Sequence, residues 1–203
     1  MINGGTSFDS ARRNHVLYET PTLAGFTVQA AVAEDNFWDV ALRYAGEFGG
    51  FRLAFGIGYF EDTDFATASQ KNTEIKGSAS VLHVASGLFV TGAGGQREVE
   101  FAGGVGDFDA NFWYVAAGVR KNFFGFGDTV LFGEYSKHND FVQSVNLALT
   151  SDVTHWGVGV NQYIDAAAME VFLTYKNYSA DLSAGGQEIR DFDAVIGGAR
   201  VNF

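Results

Sequence analysis

The sequence predicts an all-β fold, an antiparallel transmembrane β-barrel, on three observations. Apolar residues alternate with small or charged ones along almost the whole chain, as in strands with one dry and one wet face. The connectors between these segments alternate between tight and long, as in a barrel with short turns at one end and long loops at the other. The chain closes on VIGGARVNF, where Phe203, Val201, Ala199, Gly197 and Val195 fall on one side of a strand.

Eleven segments carry the alternation: residues 13–20, 25–33, 37–48, 51–60, 76–85, 88–95, 111–121, 129–137, 153–163, 169–178 and 192–203. In FWDVALRYAGEF, Trp38, Val40, Leu42 and Tyr44 oppose Asp39, Ala41 and Arg43. In FRLAFGIGYF, Phe51, Leu53, Phe55, Ile57 and Tyr59 oppose Arg52, Ala54, Gly56 and Gly58. In MEVFLTYK, Met169, Val171, Leu173 and Tyr175 oppose Glu170, Thr174 and Lys176. Both faces of residues 111–121 are apolar, so the phase of that segment stays open. Tight connectors are expected at 21–25, 47–50, 85–87, 122–128 and 165–168, and long polar ones at 61–75, 94–110, 138–152 and 177–191. Residues 34–36 alone are short where a long loop is due.

A strand set of this kind crosses lipid only if its backbone is fully paired, which demands that the last strand close against another. Amphipathic rings near strand ends then hold the interfaces. The expected membrane anchors are Trp38, Tyr44, Tyr59, Trp156, Tyr175 and the terminal Phe203.

Composition agrees. Hydrophobic residues make up 47% and charged residues 18%, with 20 Phe, 8 Tyr, 3 Trp, 26 Gly and one proline, Pro21. Thirteen basic against 24 acidic side chains give −11, which argues against a nucleic-acid surface. Cysteine is absent, so no disulfide framework, thiolate chemistry or cysteine metal site is available. No apolar run approaches the ~18 residues of a membrane helix, and MINGGTSFDSARRNH has no signal-peptide core.

The stretches RNHVLYETPTLAGFTVQAAVAEDNFWDVALRYAGEF, SASVLHVASGLFVTGAG, YIDAAAMEVFLTYKNYSADL and DFDAVIGGARVNF resemble the general diffusion porins of Gram-negative bacteria, in particular the alphaproteobacterial type. The resemblance covers nearly the whole chain and rests on Y-x-x-P-x-x-x-G-F, the IDAAAMEV turn and the final Phe together. It implies a sixteen-stranded barrel of which these are the last eleven strands. The chain would then lack the first strands, the constricting loop and the signal peptide. A rival is a ten-stranded barrel over residues 25–203 with the first segment as an arm. The resemblance further implies passive diffusion of small hydrophilic solutes and ions, a homotrimer, and an outer-membrane setting in contact with lipid and lipopolysaccharide. Phe203 would be read by the outer-membrane assembly machinery.

If the apolar face meets lipid, the other lines water, and the expected pore-lining residues are Arg13, His15, Asp39, Arg43, Arg52, His83, Arg120, Glu134, Glu170, Lys176 and Arg200. Charges on a pore wall bias ion passage. The basic ones, Arg43 and Arg52 foremost, would face an acidic constriction. Acid concentrates in the expected loops, at Glu61, Asp62, Asp64, Glu74, Glu98, Glu100, Asp107, Asp109, Asp181, Glu188, Asp191 and Asp193. Asp62/Asp64 and Asp107/Asp109 could hold Ca²⁺ or Mg²⁺, but a solvated loop accounts for them as well. No cofactor is expected. His15, His83, His138 and His155 are scattered, and no G-x-S-x-G, phosphate-binding or zinc motif is present, which argues against an enzyme. Two alternatives stay open: a soluble or surface β-sheet binding module using the acidic loops, and a substrate-selective channel. The latter needs lumen-side rings on several adjacent strands, and the sequence offers only Phe60, Phe112 and Tyr114.

Overall fold

A computed structural model describes residues 13–34, 36–63, 71–100, 108–140, 151–182 and 190–202. The strands are β1 (His15–Glu19), β2 (Phe26–Ala33), β3 (Phe37–Phe48), β4 (Phe51–Asp62), β5 (Lys71–His83), β6 (Leu88–Glu100), β7 (Phe108–Lys121), β8 (Thr129–Asn139), β9 (Ser151–Ile164), β10 (Met169–Leu182) and β11 (Phe192–Val201). They form one eleven-stranded sheet in chain order, and every neighbouring pair is antiparallel. The sheet is not closed: β1 and β11 are its edges.

The expected strands are all present, but several run further toward the long connectors. β5 begins at Lys71, β6 reaches Glu100, β7 begins at Phe108 and β10 reaches Leu182. Glu61, Asp62, Glu74, Glu98, Glu100, Asp109, Asp181 and Asp193, expected in loops, therefore sit on strands. Asp64, Asp107 and Glu188 lie outside the described residues. Polar sequence hides these extensions, because a strand that rises above lipid no longer needs an apolar face. At the other end the turns are tight. Between β3 and β4 only Gly49 and Gly50 intervene, with φ of 57° and 81°, the positive pair that a two-residue hairpin turn requires.

The registers assign each residue to a face, since directly paired residues share one. On the outer face Val40, Leu42 and Tyr44 pair with Tyr59, Ile57 and Phe55, with Trp38 and Leu53 on the same face, continuing through Val81 and Val90 to Leu131, Val158 and Leu173. On the inner face lie Asp39, Ala41, Arg43 and Ala45 beside Phe60, Gly58, Gly56 and Ala54. Among the described strand residues, the exposed large apolar side chains lie on the outer face except Leu17, Phe192 and Ile196, which belong to the edge strands. The open phase of residues 111–121 is settled by pairing: Trp113, Val115 and Ala117 face out, Phe112, Tyr114 and Arg120 face in.

This is one layer, and its core is correspondingly small. The buried apolar residues are Ala31, Phe37, Phe60, Val99, Ala110 and Ala116, all on the inner face. The sheet curves enough that residues from β3 through β9 bound one inner concavity of about 680 Å³. An apolar face this large, left uncovered by any second layer among the described residues, calls for lipid or partner protein rather than water.

On the outer face each tryptophan meets a tyrosine of the next strand: Trp38–Tyr59 at 5.3 Å, Trp113–Tyr135 at 5.1 Å and Trp156–Tyr175 at 5.4 Å between ring centroids. All three pairs lie in the half nearer the long connectors. Beyond them the same face turns polar at Glu61, Thr73, Glu98 and Asp109. Toward the short turns Tyr44 packs with Phe26 and Phe55, at 4.7 and 5.3 Å. From Phe51 to Tyr59 the dry stretch of β4 spans roughly 26 Å of strand, comparable to the apolar band of an outer-membrane barrel.

Close inner packing depends on glycine. A Cβ at Gly118 would lie 2.1 Å from the Leu131 carbonyl oxygen and 2.9 Å from Phe89 Cε1. At Gly56 it would meet nothing nearer than 3.7 Å. Gly118→Ala should destabilise the folded protein by about 1–3 kcal/mol and Gly56→Ala by well under that, measured by urea unfolding in detergent micelles.

Candidate functional site: the inner wall

Alternation sends one charged side chain after another onto the inner face, and the register brings opposite signs together. Arg43 on β3 reaches Glu19 on β1 at 3.3 Å. Arg52 on β4 meets Glu47 on β3 at 2.9 Å. Arg120 meets Asp128 at 2.7 Å and Arg200 meets Glu170 at 2.6 Å. Arg13 stands just before β1 and forms an ion pair with Asp62 on β4, its guanidinium over the Phe37 ring. Fully buried Glu74 is bridged by Lys76 at 3.0 Å and Arg97 at 2.8 Å.

A second enclosed group centres on Glu134. Its carboxylate accepts the Tyr114 hydroxyl at 2.9 Å and pairs with Lys176 Nζ at 2.6 Å. His155 Nε2 stands 3.8 Å away, and its Nδ1 is hydrogen-bonded to the buried Ser136 hydroxyl. Glu134 belongs to β8 and Lys176 to β10, so the pair crosses β9 above Gly157, where a Cβ would come within 3.0 Å of Glu134 Oε1. A larger residue there would push the two charges apart.

His15, Asp39, Arg43, Arg52, Arg120, Glu134, Glu170, Lys176 and Arg200 share the inner face. His83 does not. It pairs with Phe51 on the outer face, ring on ring at 4.8 Å, with Nδ1 hydrogen-bonded to Ser86. In KGSASVLHVAS the inner positions are Lys76, Ser78, Ser80 and Leu82, and His83 comes one residue later at the turn end of the dry band. An imidazole sits on that face because the turn end offers it the Ser86 hydroxyl as a partner, so its polarity misplaces it in a sequence reading. Phe203 lies outside the described residues.

Two features were invisible in the sequence. The arginines do not form an open basic wall, since Arg43 and Arg52 each have an acidic partner on the same wall. And inner-face rings do occupy adjacent strands. Phe112 stacks on His138 at 5.5 Å. Below it Tyr114, Ser136, His155, Tyr178 and Phe192 are successive register partners from β7 to β11. Each strand contributes one ring or hydroxyl, and only the register lines them up. Among the described residues no group of three or more His, Asp and Glu could hold a metal ion.

A family model described as Gram-negative porin matches residues 1–200. Among solved structures the chain is similar to OccK2 (OpdF) of Pseudomonas aeruginosa, 13% identical with a TM-score of 0.60, over 91% of this chain and 57% of that one. It is similar to a loop L8 deletion mutant of OmpT, an outer membrane protein of Vibrio cholerae, at 15% identity and a TM-score of 0.58, covering 92% and 62%. OccAB4 of Acinetobacter baumannii gives 14% and 0.58, covering 92% and 52%. At these identities the likeness shows the fold, an outer-membrane β-barrel, and the chain spans little more than half the length of each. No curated protein matches the sequence.

Removing the Glu134 charge leaves Lys176 and His155 without their anion in a partly buried site. Glu134→Gln should cost about 2–3 kcal/mol. The double variant Glu134→Gln/Lys176→Met should recover part of that loss, read from a double-mutant cycle of urea unfolding.

Proposed function

This chain belongs to the Gram-negative porin family, and we propose that it walls an outer-membrane pore for passive diffusion of small hydrophilic solutes and ions. The observation that carries the reading is the division of one hydrogen-bonded sheet into two solvents' worth of surface. Its outer face is aliphatic and flanked by aromatic pairs, whereas its inner face is a lattice of ion pairs around a concavity. Charges paired along the wall attract neither anions nor cations strongly, so such a wall passes both and holds water throughout. The family and the fold speak for a channel rather than an enzyme.

Residues 1–203 are read as a single barrel domain that supplies the last eleven strands of sixteen. In the assembled protein Arg13, His15, Asp39, Arg43, Arg52, Arg120, Glu134, Glu170, Lys176 and Arg200 line the pore. Trp38, Tyr44, Tyr59, Trp156, Tyr175 and Phe203 hold the interfaces, with Trp113 joining them. The same proposal takes in lipopolysaccharide contact at the long-connector rim, a homotrimer and recognition of Phe203 by the assembly machinery.

The protein reconstituted in planar bilayers should give stepwise, ohmic conductance, and proteoliposomes should swell in small sugars; a silent bilayer would contradict the reading. Replacing Arg43 and Arg52 together by serine frees Glu19 and Glu47. The reversal potential in a KCl gradient should then move toward the potassium potential, and an unmoved potential would show that this part of the wall does not face the ion path.

A further inference from the structure

One register row of the inner wall brings rings from four of the five strands β7 to β11 side by side. Tyr114, His155 and Tyr178 follow one another at 6.5 and 5.3 Å between centroids, and Phe192 continues the series 6.2 Å beyond Tyr178. Each ring is turned from the last by 35°, 35° and 32°, so the rings step round the curve of the wall instead of stacking into a plug. Tyr114, His155 and Tyr178 keep part of their surface open on the inner side, and Phe192 is 62% exposed. On β3 to β6 the same register row reads Arg43, Gly56, Ser78 and Ala93, so this row carries its rings on β7 to β11 only.

The charge beside the row is already compensated. Lys176 stands 2.6 Å from Glu134, which also accepts the Tyr114 hydroxyl, and Ser136 is bound to His155. A carboxylate or ammonium ligand would have to break that pairing to find a partner. A neutral ring bearing hydroxyls would not: its C–H bonds meet the electron-rich ring faces, and its hydroxyls meet the Glu134–Lys176 edge. We propose that this row is a stacking subsite for neutral pyranose sugars passing along the wall, a proposal that rests on the pore reading above.

The test is conductance of the reconstituted protein in KCl with maltotriose added, and viscosity-matched sorbitol, which has no ring, as control. Maltotriose should lower conductance in a saturable way, and sorbitol should not. Tyr178→Ala and Phe192→Ala should each raise the half-blocking concentration about fivefold, while Tyr178→Phe keeps the wild-type value; heat-modifiable mobility on gels confirms that each variant is folded. The proposal fails if sorbitol blocks equally, if the alanine variants block like wild type, or if benzoate blocks at lower concentration than maltotriose. A chain that conducts nothing overturns the pore reading and the subsite with it, whereas a conducting chain blind to maltotriose overturns the subsite alone.

Discussion

A sheet that meets lipid cannot leave backbone N–H and C=O groups unpaired, and every other feature of this protein follows from that constraint. Strand-to-strand pairing runs without interruption from β1 to β11. Once pairing is fixed, alternation is fixed with it, because a slip of one residue would turn every aliphatic side chain of a strand toward water. The outer face therefore has no freedom to carry charge between Phe51 and Tyr59 on β4, and charge reappears where the strands rise past the Trp–Tyr pairs. The inner face inherits whatever the alternation leaves over, which is a mixture of small, polar, charged and aromatic side chains.

How that remainder is organised decides what the wall can do. Isolated charges on a concave wall would create a strong field and select ions by sign. Here the acids and bases sit on neighbouring or next-nearest strands, near enough to pair directly: Glu47 with Arg52, Glu170 with Arg200, Glu134 with Lys176 across Gly157. The half-exposed pairs among them contribute little stability, since water competes for each partner. In the proposed pore they would keep the wall wet without giving it a sign. The enclosed groups, Glu74 with Arg97 and Lys76, and Glu134 with its three neighbours, also tie adjacent strands to one another.

Alternation made the fold legible: eleven strands, their order, the tight turns and the orientation of most side chains can be read from residue spacing alone. What could not be read was anything that depends on register between strands. The phase of β7 was ambiguous because Phe112, Trp113, Tyr114 and Val115 are all apolar or aromatic, and only pairing with β6 and β8 separates them. His83 looked inward because imidazoles prefer water, yet at the turn end of the outer face Ser86 gives its ring a polar partner. The ring row from Tyr114 to Phe192 contributes one member per strand, so no local stretch of sequence displays it. The strand extensions at Lys71 and Glu100 were read as loops for a related reason: above the membrane the two faces of a strand no longer differ in polarity.

The central claim is that one face of this sheet is in lipid and the other in water. The chain contains no cysteine, so single cysteines placed along β3 report without background. In proteoliposomes, cysteine at positions 39, 41, 43 and 45 should react with a membrane-impermeant, water-soluble methanethiosulfonate reagent, and cysteine at positions 40, 42 and 44 should not. Equal labelling at both sets, or labelling confined to the second, would contradict the account.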